Sequence, residues 1–213
     1  MDQNISWYIE KQIEKVLSNL EKRNMKGIYV KNEAELTVVL QSLIEVGSVV
    51  GVGDSVTLLE TGVLDFLRRG NYHFLDKYRE GLTREEKRQI YLQNFAADTF
   101  LCSTNALTQE GELYNIDGNG SRVAPMLYGP KQVIIIAGIN KLVSNLAEAE
   151  RRVRNYVAPI DAKRLNKDTP CTKLGQCVDC KSPSRICNDF VTITGQFVKD
   201  RIKVIIVGKT LGY

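Results

Sequence analysis

Histidine is almost missing from this chain: among its 213 residues there is one, His73. Without a second imidazole no multi-histidine metal site can form, and a serine–histidine relay would have to use that single ring. His73 falls in the stretch YHFLD and reads as structural. Long apolar runs are missing too. The longest, VIIIAGI, falls far short of the roughly 20 residues that cross a bilayer, so no membrane partner is expected. The opening MDQNISWYIEKQIEKVL carries charges in its first helical turns and no apolar signal core. It does not read as a secretory leader, and a cytoplasmic location is the expectation. Charge of one sign is also scarce, with 29 Lys and Arg against 25 Asp and Glu. That balance suits a small anionic ligand but not nucleic acid, which calls for a concentrated basic face. The densest basic run, ERRVRNYV, reads as the solvated side of a helix.

What is present is the composition of a globular protein, 43% hydrophobic and 25% charged, long enough for one domain over residues 1–213. Asp2 to Arg23 show helical spacing of Ile5, Tyr8, Ile9, Ile13, Val16, Leu17 and Leu20. Trp7 and Tyr8 on that helix read as packing residues or as part of a homodimer contact. The strand GIYV follows, then a helix capped by Asn32 with Glu35 as its capping-box partner. SVVGVG predicts a strand, VTLLETGVLDFLRRG a helix closed by Gly70, and YHFLD another strand. A helix from Thr83 to about Asp98 carries Glu85 and Glu86 in its first turn. TFLCST and GELYNID predict strands, RVAPMLYG a short helix, KQVIIIAGIN a buried strand, and Val143 to Tyr156 a helix. FVTITGQF and RIKVIIVG close the chain as strands. Strands alternating with helices predict an α/β fold, a largely parallel sheet flanked by helices, interrupted near its end by a cysteine-rich loop, residues 170–188.

Ligands of open α/β sheets collect at the carboxyl ends of the strands. Three segments sit at such ends. VGVGDSVTLLETG runs strand, glycine turn, helix, with Gly53 at the bend and Ser55 as a cap. It lacks the dinucleotide fingerprint, because Val56 stands where the third glycine belongs. STNALTQEGELYNIDGNGSR carries Asn105, Asp117, Gly118 and Arg122, and AGINK carries Asn140 and Lys141. Together they predict one cleft for a small anionic ligand, with Arg122 and Lys141 supplying positive charge. Glu60 and Glu110 are the candidate acid/base carboxylates. Cys102, among Phe100 and Leu101, reads as a buried small hydrophobe.

GVGDSVTLLETGVLDFL, STNALTQEGELYNIDGNGSRVAPMLYGPKQVIIIAGINK and the cysteine run together resemble the LUD (lactate utilisation) domain family over nearly the whole chain. The resemblance implies a fold of the NagB/RpiA/CoA-transferase-like type. It also implies kinship with subunits of an iron–sulfur complex that oxidises L-lactate, and with stand-alone members that carry a C-terminal cysteine motif. Neither Glu60 nor Glu110 can be matched to the CoA-transferase catalytic glutamate, which counts against a transferase reaction.

Four of the five cysteines, Cys171, Cys177, Cys180 and Cys187, follow the spacing C-x5-C-x2-C-x6-C. Disulfides fit a cytoplasmic chain poorly and would leave Cys102 over. A zinc site needs only four thiolates, yet zinc knuckles usually come as two short pairs and only Cys177 with Cys180 makes one. A [4Fe–4S] cluster takes irregular compact spacings, and Pro170 and Pro183 flank the ligands, although the run is not that of bacterial ferredoxins. Lys173, Lys181 and Arg185 would offset the negative charge of four thiolates. The family resemblance favours the cluster. The expectation is therefore an iron–sulfur protein serving electron transfer in lactate-type organic-acid utilisation, with a redox protein as partner. The alternative is an enzyme of sugar-phosphate or acyl-CoA type, or a ligand-binding module, with structural zinc.

Overall fold

Two of the most apolar stretches, VIIIAG and IKVIIV, lie side by side at the middle of a sheet whose strands come from all parts of the chain. The computed structural model describes residues 2–213. In chain order its strands are β1 (Lys26–Val30), β2 (Val49–Val52), β3 (His73–Phe74), β4 (Thr99–Cys102) and β5 (Ala106–Thr108). There follow β6 (Leu113–Asp117), β7 (Gln132–Gly138), β8 (Leu142–Val143), β9 (Asp189–Ile193) and β10 (Ile202–Val207). The helices are α1 (Gln3–Lys22), α2 (Glu33–Leu43), α3 (Val56–Glu60), α4 (Val63–Arg69) and α5 (Arg84–Gln93). The remainder are α6 (Val123–Leu127), α7 (Leu146–Arg152), α8 (Ala158–Arg164) and α9 (Pro170–Leu174).

The main sheet has six strands in the order β1-β10-β7-β4-β2-β3, parallel throughout. Alternate residues of its strands feed two separate cores, as the two-residue period of a strand requires. Val133, Ile135, Val204, Ile206, Phe100 and Cys102 face α1, where they meet Ile13, Val16 and Leu20. Ile134, Ile136, Ile205, Val207 and Leu101 face the opposite layer, with Leu36 and Leu40 of α2, Leu58 of α3 and Leu64 and Leu67 of α4. A sheet covered on both faces accounts for the uninterrupted apolar runs of β7 and β10. The α/β layering expected from the alternation is the layering observed.

The structure refines the expectation in four places. Strands β8-β5-β6-β9 form a second, four-stranded sheet of mixed direction, so the two closing strands part company: β9 joins the small sheet and β10 enters the large one. The helix expected over VTLLETGVLDFLRRG breaks into α3 and α4 at Gly62, which adopts φ +69°, a conformation that favours glycine. The helix expected from Val143 to Tyr156 begins only at Leu146, because Leu142–Val143 pairs with β5 instead. It then passes through a wider π-turn, Val153–Val157, into α8. Asn32 does cap α2, accepting from the N–H groups of Ala34 and Glu35, while the Glu35 carboxylate takes the Lys31 N–H rather than that of Asn32. Thr83 and Glu86 form a reciprocal capping box at α5. Trp7 and Tyr8 lie on the exposed side of α1. Among the described residues no helix is long and apolar enough to cross a membrane.

Candidate functional site

The carboxyl ends of β2, β4 and β7 open onto a cavity of about 560 Å³, closed on its far side by the small sheet, α8 and the cysteine-rich loop. Of the eight residues expected to form a ligand cleft, Ser55, Asn105, Asp117, Gly118, Arg122 and Lys141 line this cavity. Gly53 and Asn140 do not. A Cβ at Gly53 would lie 3.0 Å from Cys102 Cβ and 3.1 Å from Arg122 Cγ, so this glycine serves close packing behind the wall. Asn140 binds the chain end: its Oδ1 accepts from the Leu211 N–H at 3.0 Å, and its Nδ2 donates to the Gly212 carbonyl at 3.1 Å.

Arg122 and Asp117 are the framework of the wall. The Arg122 guanidinium donates to the carbonyls of Ser103 (3.2 Å) and Ile116 (2.7 Å) and to the side chains of Asn115 (3.1 Å) and Asn105 (2.8 Å). Asp117 Oδ1 accepts from the N–H groups of Asn119 and Gly120, and Oδ2 from those of Arg122 and Val123, each at 3.2 Å. Burial pushes the Asp117 carboxyl up, but Arg122 and the backbone donors outweigh it and hold the group below its ordinary value. The DGNG segment is thus an anchored turn whose polar groups are consumed internally. Among the described residues the buried Asn115 Nδ2 has no partner.

Lys141 differs. Only 3% exposed, its Nζ donates to Thr57 Oγ1 at 2.9 Å and Ser103 Oγ at 2.8 Å. Among the described residues no carboxylate lies within ion-pair distance of it. Burial, followed by the positive charges of Arg152 and Arg122, brings its pKa down to about 7. Lys77 is a second buried amine, but it is paired with Asp54 Oδ1 at 2.9 Å and sits over the rings of Tyr78 and Tyr91. Burial pushes Tyr78 and Tyr91 above the ordinary phenol value. Thr57, Ser103, Tyr78 and Tyr91 all line the cavity and were not singled out from the sequence. Isolated hydroxyls and phenols carry no spacing signal; only their place at strand ends hinted at Thr57 and Ser103.

A second, smaller cavity of about 20 Å³ is lined by all four loop cysteines, Cys171, Cys177, Cys180 and Cys187, against Pro159 and Ala162 of α8. Local bonds already reach sulfur. Thr169 Oγ1 lies 3.2 Å from Cys171 Sγ, and the Asp179 N–H points to Cys177 Sγ at 3.4 Å. Arg185 ties the loop, its Nη1 donating to the Cys180 carbonyl at 2.7 Å and its Nη2 to the Cys187 carbonyl at 2.6 Å. Lys173 instead pairs with Asp168, exposed on the loop surface. Among the described residues no three or more His, Cys, Asp or Glu are gathered into a group that could hold a metal ion. The donor set nevertheless fits a thiolate-bound centre in kind: four half-buried free thiols on one cavity, with donors beside two sulfurs. The space has room for little more than one water. A larger centre therefore requires the partly exposed loop to move outward.

The remaining candidates lie elsewhere. His73 is exposed on the edge strand β3. Cys102 is fully buried, and burial pushes its thiol up to about 12, which fits a packing role. Glu60 is exposed and accepts the Gly212 N–H, and Glu110 pairs with Lys15 on the surface; neither lines the cavity.

A family model described as LUD domain matches residues 13–207. Among solved structures, a DUF162 family protein from Deinococcus radiodurans is 15% identical, over 94% of this chain and 97% of that one, with a TM-score of 0.49. The eIF2B beta of Chaetomium thermophilum is 13% identical, over 55% of this chain and 44% of that one, with a TM-score of 0.37. No curated protein matches the chain.

Proposed function

The chain belongs to the LUD domain family, and on that premise we propose that it is an iron–sulfur protein serving electron transfer in lactate-type organic-acid utilisation. One observation carries the reading: Ala158, Arg185 and Ile186 line both the large cavity and the cysteine cavity. A small organic anion in the first is thus separated from the thiols by a wall one residue thick. Cys171, Cys177, Cys180 and Cys187 would hold a [4Fe–4S] cluster, which supplies one-electron chemistry when bound.

The chain's own groups divide the remaining work. Arg122 and Asp117 keep the cavity wall in place. Ile186 lies over Gly118, where an added Cβ would meet the Ile186 carbonyl at 3.4 Å, and so seals the boundary between the two spaces. Arg185 supplies positive charge at that boundary, favouring both an anionic ligand and a thiolate-rich loop. The Asn188 N–H donates to the Asp117 carbonyl at 3.0 Å, coupling the loop to the framework of the cavity.

Purification without oxygen, followed by visible absorption and iron and sulfide analysis, tests the proposal. A brown protein with iron and labile sulfide in equal amounts is expected. A colourless protein carrying stoichiometric zinc would make the cysteine site structural and overturn it.

A further inference from the structure

We infer that Lys141 is a catalytic amine that condenses with the carbonyl group of a small oxo acid bound in the large cavity. The inference rests on that cavity being a ligand site and is independent of what the cysteines hold.

The geometry supplies the first half. A lysine head group is normally solvated or ion-paired, because an isolated ammonium is costly to bury. Lys141 is neither: it is 3% exposed, and among the described residues its only side-chain partners are the hydroxyls of Thr57 and Ser103. Two N–H bonds satisfied by two hydroxyls are the full donor set of a neutral amine. The third position on nitrogen then carries the lone pair, and among the described residues no further group is hydrogen-bonded to that nitrogen, although the residue forms part of the cavity wall. Charged and titratable groups around it act in the same sense on balance. Arg152 and Arg122 disfavour the ammonium, Glu60 and Cys102 favour it, and burial decides the outcome, so about half the amines are neutral near pH 7. A desolvated lysine beside other cations is the arrangement that makes an amine nucleophilic toward carbonyl carbon.

The charge balance of the cavity supplies the second half. Its acidic residues are each matched: Asp54 with Lys77, Asp117 with Arg122 and Asp161 with Arg164. Lys167 and Arg185 line the same cavity, and among the described residues neither has a carboxylate partner. The surplus is positive, which selects a carbonyl compound that also bears an acid group.

The step balances without a further reagent. The nitrogen lone pair forms the C–N bond while the carbonyl π pair moves to oxygen. One proton leaves nitrogen for that oxygen, giving a carbinolamine. The hydroxyl then departs with a second proton as water, and the nitrogen pair closes the C=N bond. Ser103 and Thr57, at hydrogen-bond distance from the nitrogen, are placed to pass these protons.

The test uses the full chain, glyoxylate as the smallest 2-oxo acid, and cyanoborohydride to reduce the adduct to a carboxymethyl amine, followed by peptide mapping. At pH 7 an exposed lysine has only about one amine in three thousand neutral. Lys141 is therefore expected to be modified first, with a half-maximal rate near pH 7, and acetaldehyde, an aldehyde without the acid group, to label it more slowly relative to the surface lysines. An unmodified Lys141 beside carboxymethylated surface lysines would overturn the inference, as would a Lys141 rate that rises only with that of the exposed lysines. The adduct reports on Lys141, and colour and iron content report on the cysteines, so the two readings fail separately.

Discussion

Arg185 Nη1 donates to the carbonyl oxygen of Cys180 at 2.7 Å, from a residue that also lines the large cavity. One guanidinium thereby belongs to the cavity wall and to the loop that carries the thiols. Removing it uncouples the two. In Arg185→Ala the loop loses its donors to the Cys180 and Cys187 carbonyls, a local loss of about 2 kcal/mol for hydrogen bonds to a charged group. Hydrogen exchange checks this: amides of residues 177–188 are expected to exchange roughly 30-fold faster, while those of β7 and β10 are unchanged. Unchanged loop exchange would show that Arg185 does not hold the loop.

Arg122 is predicted to be structural before it is anything else. Arg122→Met takes the guanidinium donors from Asn105, Asn115 and the Ser103 and Ile116 carbonyls, and the positive charge from beside the buried Asp117 carboxylate, which keeps its backbone donors. Breaking such a buried pair costs about 3–5 kcal/mol. Urea denaturation is the measurement. A loss under about 1 kcal/mol, the range of an exposed pair, would contradict the role.

Gly53→Ala probes the packing behind the wall. The new methyl must push against Cys102 Cβ and Arg122 Cγ, an overpacking cost of about 1–3 kcal/mol. A thermal midpoint lowered by roughly 2–4 °C for each kcal/mol is expected for a chain of this size. Wild-type stability in the variant would mean that the strand end yields easily.

The buried amines set the pH dependence. Lys141 is held down to about 7 from an ordinary 10.5, and Lys77 is also lowered. Above pH 7 the unfolded chain keeps protons that the folded chain has released, so stability rises with pH. The Lys141 contribution approaches about 1.4 kcal/mol per pH unit. From pH 9 Cys102 opposes it, because burial lifts that thiol from 9.0 to about 12 and the fold retains a proton that the unfolded chain loses. Denaturation at pH 7, 8, 9 and 10 is therefore expected to show a climb that flattens above pH 9. A flat or falling course from 7 to 9 would mean that Lys141 is charged at neutral pH.

Much of the fold is legible from local pattern. Short, β-branched apolar runs such as VIIIAG and VIIV point to strands buried on two faces, and caps such as Asn32 and Thr83 mark helix starts by their own hydrogen bonds. The split of α3 from α4 is harder to read, since one glycine inside an apolar helical pattern does not declare its φ. The second sheet was not legible at all. β5 and β6 are short strands beside a tight turn, and nothing in their composition says which partner edge they take.

The candidate site divides in the same way. Four cysteines within one short loop must lie near one another by chain length alone, so their neighbourhood was determined by the sequence. Polar residues clustered at strand ends likewise had to gather at one edge of a parallel sheet. Which of those residues face the cavity and which are consumed as struts was decided only by tertiary packing, because burial and hydrogen-bond partners depend on segments far apart in the chain. Arg122 spends its donors on Ser103, Asn105, Asn115 and Ile116, and Asn140 holds Leu211 and Gly212. Lys141 meets Thr57 and Ser103 across separations of 84 and 38 residues. No spacing rule links those three positions; the parallel sheet does, by setting the ends of β2, β4 and β7 side by side.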